Sequence, residues 1–173
     1  MHWFITAQLE RGSSLLACGE FAVRGVKWNC APLTPRRRKG KLCFVIVSVG
    51  VDMIEVQRIR QALEDPKIGR RFRSRVYTDK EIRYCEQKGR GKYLSYAGRF
   101  AAKEAIMKAL GKGWGSKVSW DDIEVLPASG GKPEVYLRHK TSALARELRI
   151  DSFFLSITHT QDYAMAYVIA QRK

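Results

Sequence analysis

The chain has 173 residues, 45% of them hydrophobic, which suits one folded domain with a real core. Its formal net charge is +15, from 32 Lys and Arg against 17 Asp and Glu, so a polyanionic partner is expected: nucleic acid, an acidic protein or a phosphorylated cofactor. No apolar run approaches the roughly 20 residues that a bilayer span needs. The four cysteines (Cys18, Cys30, Cys43, Cys85) form neither a CxxC pair nor a zinc pattern, as expected of a reduced, cytoplasmic chain.

Residues 1–43 show no sustained period of either kind. They include Pro32, Pro35 and the basic run Arg36-Arg37-Arg38-Lys39. Residues 1–46 hold eight Lys/Arg and two Asp/Glu, so they supply six of the fifteen excess positive charges. Glu10 and Arg11 interrupt any signal-peptide core, and the run Leu15-Leu16-Ala17-Cys18 lacks the hydrophobic region that a lipid-attachment box requires. This segment reads as an N-terminal extension, disordered or not native, with the folded domain over 44–173.

Residues 44–51 are apolar and read as a buried first strand. Val56, Ile59 and Leu63 recur at helical spacing, predicting a helix over 54–64 that Pro66 ends. A short basic segment over 69–76 follows. Thr78 and Glu81 form a Thr-x-x-Glu capping box, which starts a helix running to about Gln87. The alanine-rich stretch 96–110 predicts the clearest helix, capped by Gly111. A loop, Gly111-Lys112-Gly113-Trp114-Gly115, comes next. Strands are expected over 122–126 and 133–137, joined through Ser129, Gly130 and Gly131. A helix over 139–148 and a closing hairpin over 152–158 and 163–170 complete an α+β pattern of short antiparallel strands with packed helices.

Several chemical groups stand out on this map. Asp52 follows directly on the first strand. Glu104 lies mid-helix among alanines, with Lys103 beside it and Lys108 one turn on, on the same helix face. That helix runs into a loop of three glycines and a lysine, where backbone N–H groups can approach phosphate oxygens. The loop is neither a Walker A motif nor a dinucleotide fingerprint. Two carboxylates from distant segments suit Mg²⁺, which takes oxygen ligands and keeps waters and substrate phosphates in its shell. His159, between two threonines at a strand end, is a further candidate.

These residues fall into runs that resemble a known family. Val49-Gly50-Val51-Asp52-Met53-Ile54-Glu55 resembles the opening motif of bacterial holo-acyl-carrier-protein synthases, which are 4′-phosphopantetheinyl transferases. Arg99-Phe100-Ala101-Ala102-Lys103-Glu104-Ala105, followed by Lys108-Ala109-Leu110-Gly111, resembles their signature helix. Gly130-Gly131-Lys132-Pro133 and Ser156-Ile157-Thr158-His159-Thr160 are similar to two further blocks. The four motifs fall in order across about residues 46–171.

The resemblance implies the phosphopantetheinyl transferase fold and transfer of the phosphopantetheine arm of coenzyme A to a serine of apo acyl carrier protein, in support of fatty acid biosynthesis. It implies that Asp52 and Glu104 hold Mg²⁺ on the diphosphate and that Lys108 reaches the same group. Arg99, Gly131 and His159 are implied at the nucleotide end of the cofactor, and Gly113 of the glycine-rich loop is a further cofactor-binding candidate from the loop itself. Three groups remain open as the serine's general base: a metal-bound water, a nearby carboxylate or His159. The acidic carrier protein is expected to dock on Arg58, Arg71, Phe72 and Arg75. A homotrimer is implied too, and Phe153, Leu155, Ile157, Tyr167 and Ile169 would line either its interface or the monomer's own core.

Two other classes compete. A nucleic-acid binder would explain the charge, but no aromatic-basic stacking motif or reading helix is present, and much of the excess charge lies in the first 46 residues. A non-catalytic adaptor for an acidic protein would give Asp52 and Glu104 no role at a metal. Neither nucleic acid nor a membrane is expected as a partner.

Overall fold

The computed structural model describes residues 22–23, 26–27, 44–115 and 117–173. The chain divides into two units, Met1–Lys41 and Leu42–Lys173. In the first, β1 (Ala22–Val23) pairs antiparallel with β2 (Val26–Lys27). The expectation of an extension over 1–43 otherwise lies outside the described residues.

The second unit is α+β. Its main sheet has three antiparallel strands in the order β3 (Val45–Glu55), β7 (Tyr163–Arg172), β6 (Ser152–His159). The expected closing hairpin is therefore present, with β7 at the centre. A second, two-stranded sheet pairs β4 (Ile123–Pro127) with β5 (Pro133–Leu137). The helices are α1 (Val56–Glu64), α2 (Gly69–Val76), α3 (Asp79–Glu86), α4 (Lys92–Ala109) and α5 (His139–Glu147).

Small residues let α4 lie close against the sheet. The inward face of β7 is Ala164, Ala166, Val168 and Ala170, all fully buried. Ala97, Ala101, Ala102, Ala105 and Ala109 of α4 are buried with them. On β3 the close approach falls at Gly50. A Cβ there would stand 1.9 Å from the Ala105 carbonyl oxygen and 2.9 Å from the Ala109 nitrogen, so only glycine fits. Any larger residue would overpack the contact, at a cost of about 1–3 kcal/mol or more. Ser48 extends the clamp by donating its hydroxyl to the Ala109 carbonyl at 2.5 Å.

Three sequence expectations need correction. β3 continues to Glu55, so α1 starts at Val56 rather than 54 and Asp52 lies within a strand rather than beyond one. The first strand is mostly exposed rather than buried, with Gly50 its one buried residue, and α4 begins at Lys92, four residues before the alanine run; the basic segment 69–76 forms α2. Of the residues expected at the interface or in the core, Leu155 is buried and Phe153 and Ile157 pack against the core. Tyr167 and Ile169 lie on the opposite sheet face, where Val49, Val51, Met53, Met165 and Phe154 are exposed. The alternation of β-strands sorts these side chains to two faces, and the pleat assigns the first three residues inward.

The capping box at α3 forms as expected. Thr78 Oγ1 accepts from the Glu81 N–H at 3.3 Å, and Glu81 Oε2 accepts from the Thr78 N–H at 2.8 Å. The same carboxylate accepts from the Val125 N–H at 2.9 Å and pairs with Lys103 at 2.8 Å. It thereby ties α3, β4 and α4 together.

Candidate active site

Helix α4 is buried almost all round. Over residues 96–110 only Phe100, Glu104 and Lys108 escape burial. These positions are spaced by four, so they form one stripe along the helix. Phe100 at one end stacks on Trp120, and Lys108 at the other meets Asp52. The close approach at Gly50 brings β3 against α4, and Asp52, two residues on, points to the same inward face as Gly50. Lys108 Nζ donates to Asp52 Oδ1 at 2.8 Å and to the Val51 carbonyl at 2.9 Å. The side chain of Asp52 is 16% exposed and that of Lys108 53%. Lys108, on the same helix face as Glu104, thus cross-links α4 to the strand.

Glu104 is half-buried. Burial pushes its carboxyl above the ordinary carboxylate range, the Asp52 charge adds to that rise, and Lys108 opposes it. The two carboxylates therefore feel each other across the gap between strand and helix. A hard cation relieves that repulsion, and carboxylate oxygens are the ligands Mg²⁺ prefers. Among the described residues, no group of three or more His, Cys, Asp or Glu side chains is placed to hold a metal. A cation at Asp52 and Glu104 would thus complete its shell from water and substrate oxygens.

A second cleft, of about 240 Å³, opens beside the other end of α4. Arg99, Gly131 and His159 line it, together with Tyr84 and Ile157. Arg99 is 7% exposed and lies 3.9 Å from the centre of the Tyr84 ring. It donates to the Ser95 carbonyl at 3.3 Å, but its buried Nε–H has no partner. An orphan donor on a buried guanidinium is costly unless an acceptor joins it. Gly130 and Gly131 form the left-handed turn between β4 and β5, with φ of 94° and 84°. His159 ends β6 and is exposed. Arg99 and Glu104 are separated by about 7.5 Å along the helix axis. A larger cleft, about 520 Å³, lies elsewhere, between Arg60, Arg90, Glu55 and Asp162. Its charges are mixed, and Arg60 is already paired with Glu64, so size alone does not mark the site.

The four docking candidates divide. Arg58, Arg71 and Arg75 are exposed. Phe72 is half-buried and packs on Tyr77 and Phe100, with ring centres 6.2 and 6.4 Å away. Its ring supports α2 from beneath more than it projects. Gly113 lies in the exposed loop after α4 and does not line the Arg99 cleft.

Sequence reasoning missed the burial of Lys103, which it placed among the cations around Glu104. Its ammonium is fully buried and donates to the Val76 carbonyl at 2.6 Å, the Trp120 carbonyl at 2.9 Å and Glu81 at 2.8 Å. Burial pulls its pKa down, opposed by the Glu81 charge. One signal was available: Lys103 is flanked by Ala101-Ala102 and Ala105-Ile106, on the apolar side of the helix.

The family model for the 4′-phosphopantetheinyl transferase superfamily matches residues 48–168, spanning Asp52, Glu104, Lys108, Arg99, Gly131 and His159. The chain belongs to this superfamily. It is 45% identical to a holo-acyl-carrier-protein synthase of Solibacter usitatus over 127 residues, 73% of this chain and 99% of that synthase. A Chlamydia pneumoniae holo-acyl-carrier-protein synthase is also 45% identical, over 72% of this chain and 97% of its own. Among solved structures, the Bacillus anthracis holo-acyl-carrier-protein synthase in complex with CoA (3′,5′-ADP) superposes with a TM-score of 0.61 at 35% identity. That match covers 74% of this chain and 98% of the other.

Proposed function

We infer that this protein is a holo-acyl-carrier-protein synthase. It transfers the 4′-phosphopantetheine arm of coenzyme A to a serine of apo acyl carrier protein, in support of fatty acid biosynthesis. The serine oxygen forms a bond to the β-phosphorus, the bridging P–O bond breaks, and adenosine 3′,5′-bisphosphate leaves. The observation that carries this reading is the convergence of Asp52, Glu104 and Lys108 on the one open stripe of α4, in a chain so similar to proteins of that name.

Asp52 and Glu104 would hold Mg²⁺, which supplies charge neutralisation at the diphosphate oxygens. Lys108 keeps the Asp52 carboxylate in place. Two of its three N–H donors are used within the chain, leaving one for a phosphate oxygen. Arg99 offers its unpaired Nε–H to the nucleotide end, with His159 and the Gly131 turn across the same cleft. The basic helix α2, with Arg70, Arg71, Arg73 and Arg75 and no acid, suits a strongly acidic carrier protein.

The exposed apolar face of the main sheet supports a homotrimer in which other copies cover Val49, Val51, Met53, Met165 and Tyr167. The same reading assigns the reaction to the cytoplasm; among the described residues no helix is long and apolar enough to cross a membrane. Residues 44–173 are the catalytic domain in this reading, and 1–43 an extension. The test mixes the protein with coenzyme A, Mg²⁺ and apo carrier protein and follows the carrier by mass spectrometry. One added phosphopantetheine arm is expected, and its loss with Asp52→Ala or Glu104→Ala. An unmodified carrier, or near-normal turnover in both variants, would overturn the reading.

A further inference from the structure

The loop after α4 presents a tryptophan that the reaction as described does not use. Gly111, at φ 65°, ends α4, and its N–H donates to the Lys108 carbonyl at 3.0 Å. Trp114 then stands between Gly113 and Gly115 and is 53% exposed. The far side of the loop is pinned: the Gly115 N–H donates to the Val118 carbonyl at 3.0 Å, and Lys140 Nζ to the Gly115 carbonyl at 3.1 Å. These bonds tie Gly115, next to the exposed indole, to Val118 and to Lys140 at the start of α5.

Its neighbour is the basic helix. The Arg75 guanidinium lies 4.5 Å from the centre of the indole ring. A cation–π contact of this kind orients both groups without consuming the guanidinium's N–H donors. Beside the stack is a cleft of about 310 Å³, lined by Ser74, Arg75, Trp114, Ser119, Asp121 and Lys140. Arg75 and Lys140 make its cationic wall. Asp121 lines the same cleft, and Ser119 donates a hydrogen bond to its carboxylate.

We propose that Trp114 and Arg75 form an anchor for the acyl carrier protein, taking a segment of it in which a carboxylate neighbours an aliphatic side chain. This rests on the function inferred above. The carboxylate meets Arg75 and Lys140, and the aliphatic group covers the open face of the indole. Charge complementarity selects this occupant: α2 carries four arginines and no acid, and the cleft continues that surface. Trp and Arg are the residues most enriched among those that dominate binding energy, and a rigid indole loses little conformational freedom on contact. In this proposal the Gly111–Gly115 loop contributes to the protein-substrate surface. The loop follows α4, whose last turn carries Lys108.

The test measures KM for apo carrier protein and for coenzyme A separately, in wild type, Trp114→Ala and Trp114→Phe. Trp114→Ala is expected to raise the carrier KM about tenfold and leave the coenzyme A KM within about twofold. Trp114→Phe, which keeps an aromatic face, is expected to recover most of the loss. An unchanged carrier KM in Trp114→Ala, or equal rises for both substrates, would overturn the proposal while leaving the enzyme's function intact. A wild-type protein that transfers nothing would overturn the function itself, and the anchor with it.

Discussion

Helix α4 carries two lysine–carboxylate pairs, five residues apart, with opposite characters. Lys103 and Glu81 are sealed from solvent, and every donor of that ammonium has an acceptor. Lys108 and Asp52 lie on the open stripe, the lysine half exposed, with Glu104 beside them bearing a carboxyl lifted by burial and by Asp52. The first arrangement is complete and joins α2, α3 and the Trp120 turn to α4. The second is unfinished, with crowded negative charge and a spare N–H donor. The same residue types on one helix are therefore framework in one case and site in the other. What separates them is burial and whether every polar group has a partner.

The comparison can be broken most forcefully at the sealed pair. Lys103→Met leaves the Glu81 carboxylate buried without its cation and should cost about 3–5 kcal/mol in denaturant unfolding. The double variant Glu81→Gln with Lys103→Met should lose less than the sum of the single changes. A loss below about 1 kcal/mol for Lys103→Met would remove the distinction between the pairs.

A smaller effect of opposite sign is expected at the open stripe. The raised pKa of Glu104 means that the folded state holds this proton more tightly than the unfolded chain does. The stability this contributes is complete below the ordinary carboxylate pKa and is lost as pH rises through the raised value. Glu104→Gln carries no ionisable group and escapes that loss. In metal-free protein it should raise the thermal midpoint at neutral pH, and the gain should vanish in acid. No gain at neutral pH would show that the carboxylates are not in conflict.

Much of the fold was legible where the signal is local. The Thr78–Glu81 box, the alanine helix with its Gly111 cap and the closing hairpin all announce themselves within a few residues. The extent of β3 did not, because polar Asp52 and Glu55 mask a strand whose edge is defined by pairing to β7. The helicity of α2 was hidden in a run of arginines with little apolar period. At the site, the candidates for metal and nucleotide could be named, but their partners could not. Lys108 forms its bond to Asp52 across 56 residues of sequence, a tertiary contact. Lys103 finds its carbonyl partners 17 and 27 residues away, so its burial is a property of the assembled fold.

The proposed metal site needs the Asp52 carboxylate of β3 and the Glu104 carboxylate of α4 to hold one divalent cation together. Calorimetric titration of Mg²⁺ into protein saturated with coenzyme A, with coenzyme A alone as the blank, reads this directly. One site is expected in the wild type, lost in Asp52→Ala and lost equally in Glu104→Ala. Wild-type Mg²⁺ affinity in either variant would contradict a shared site.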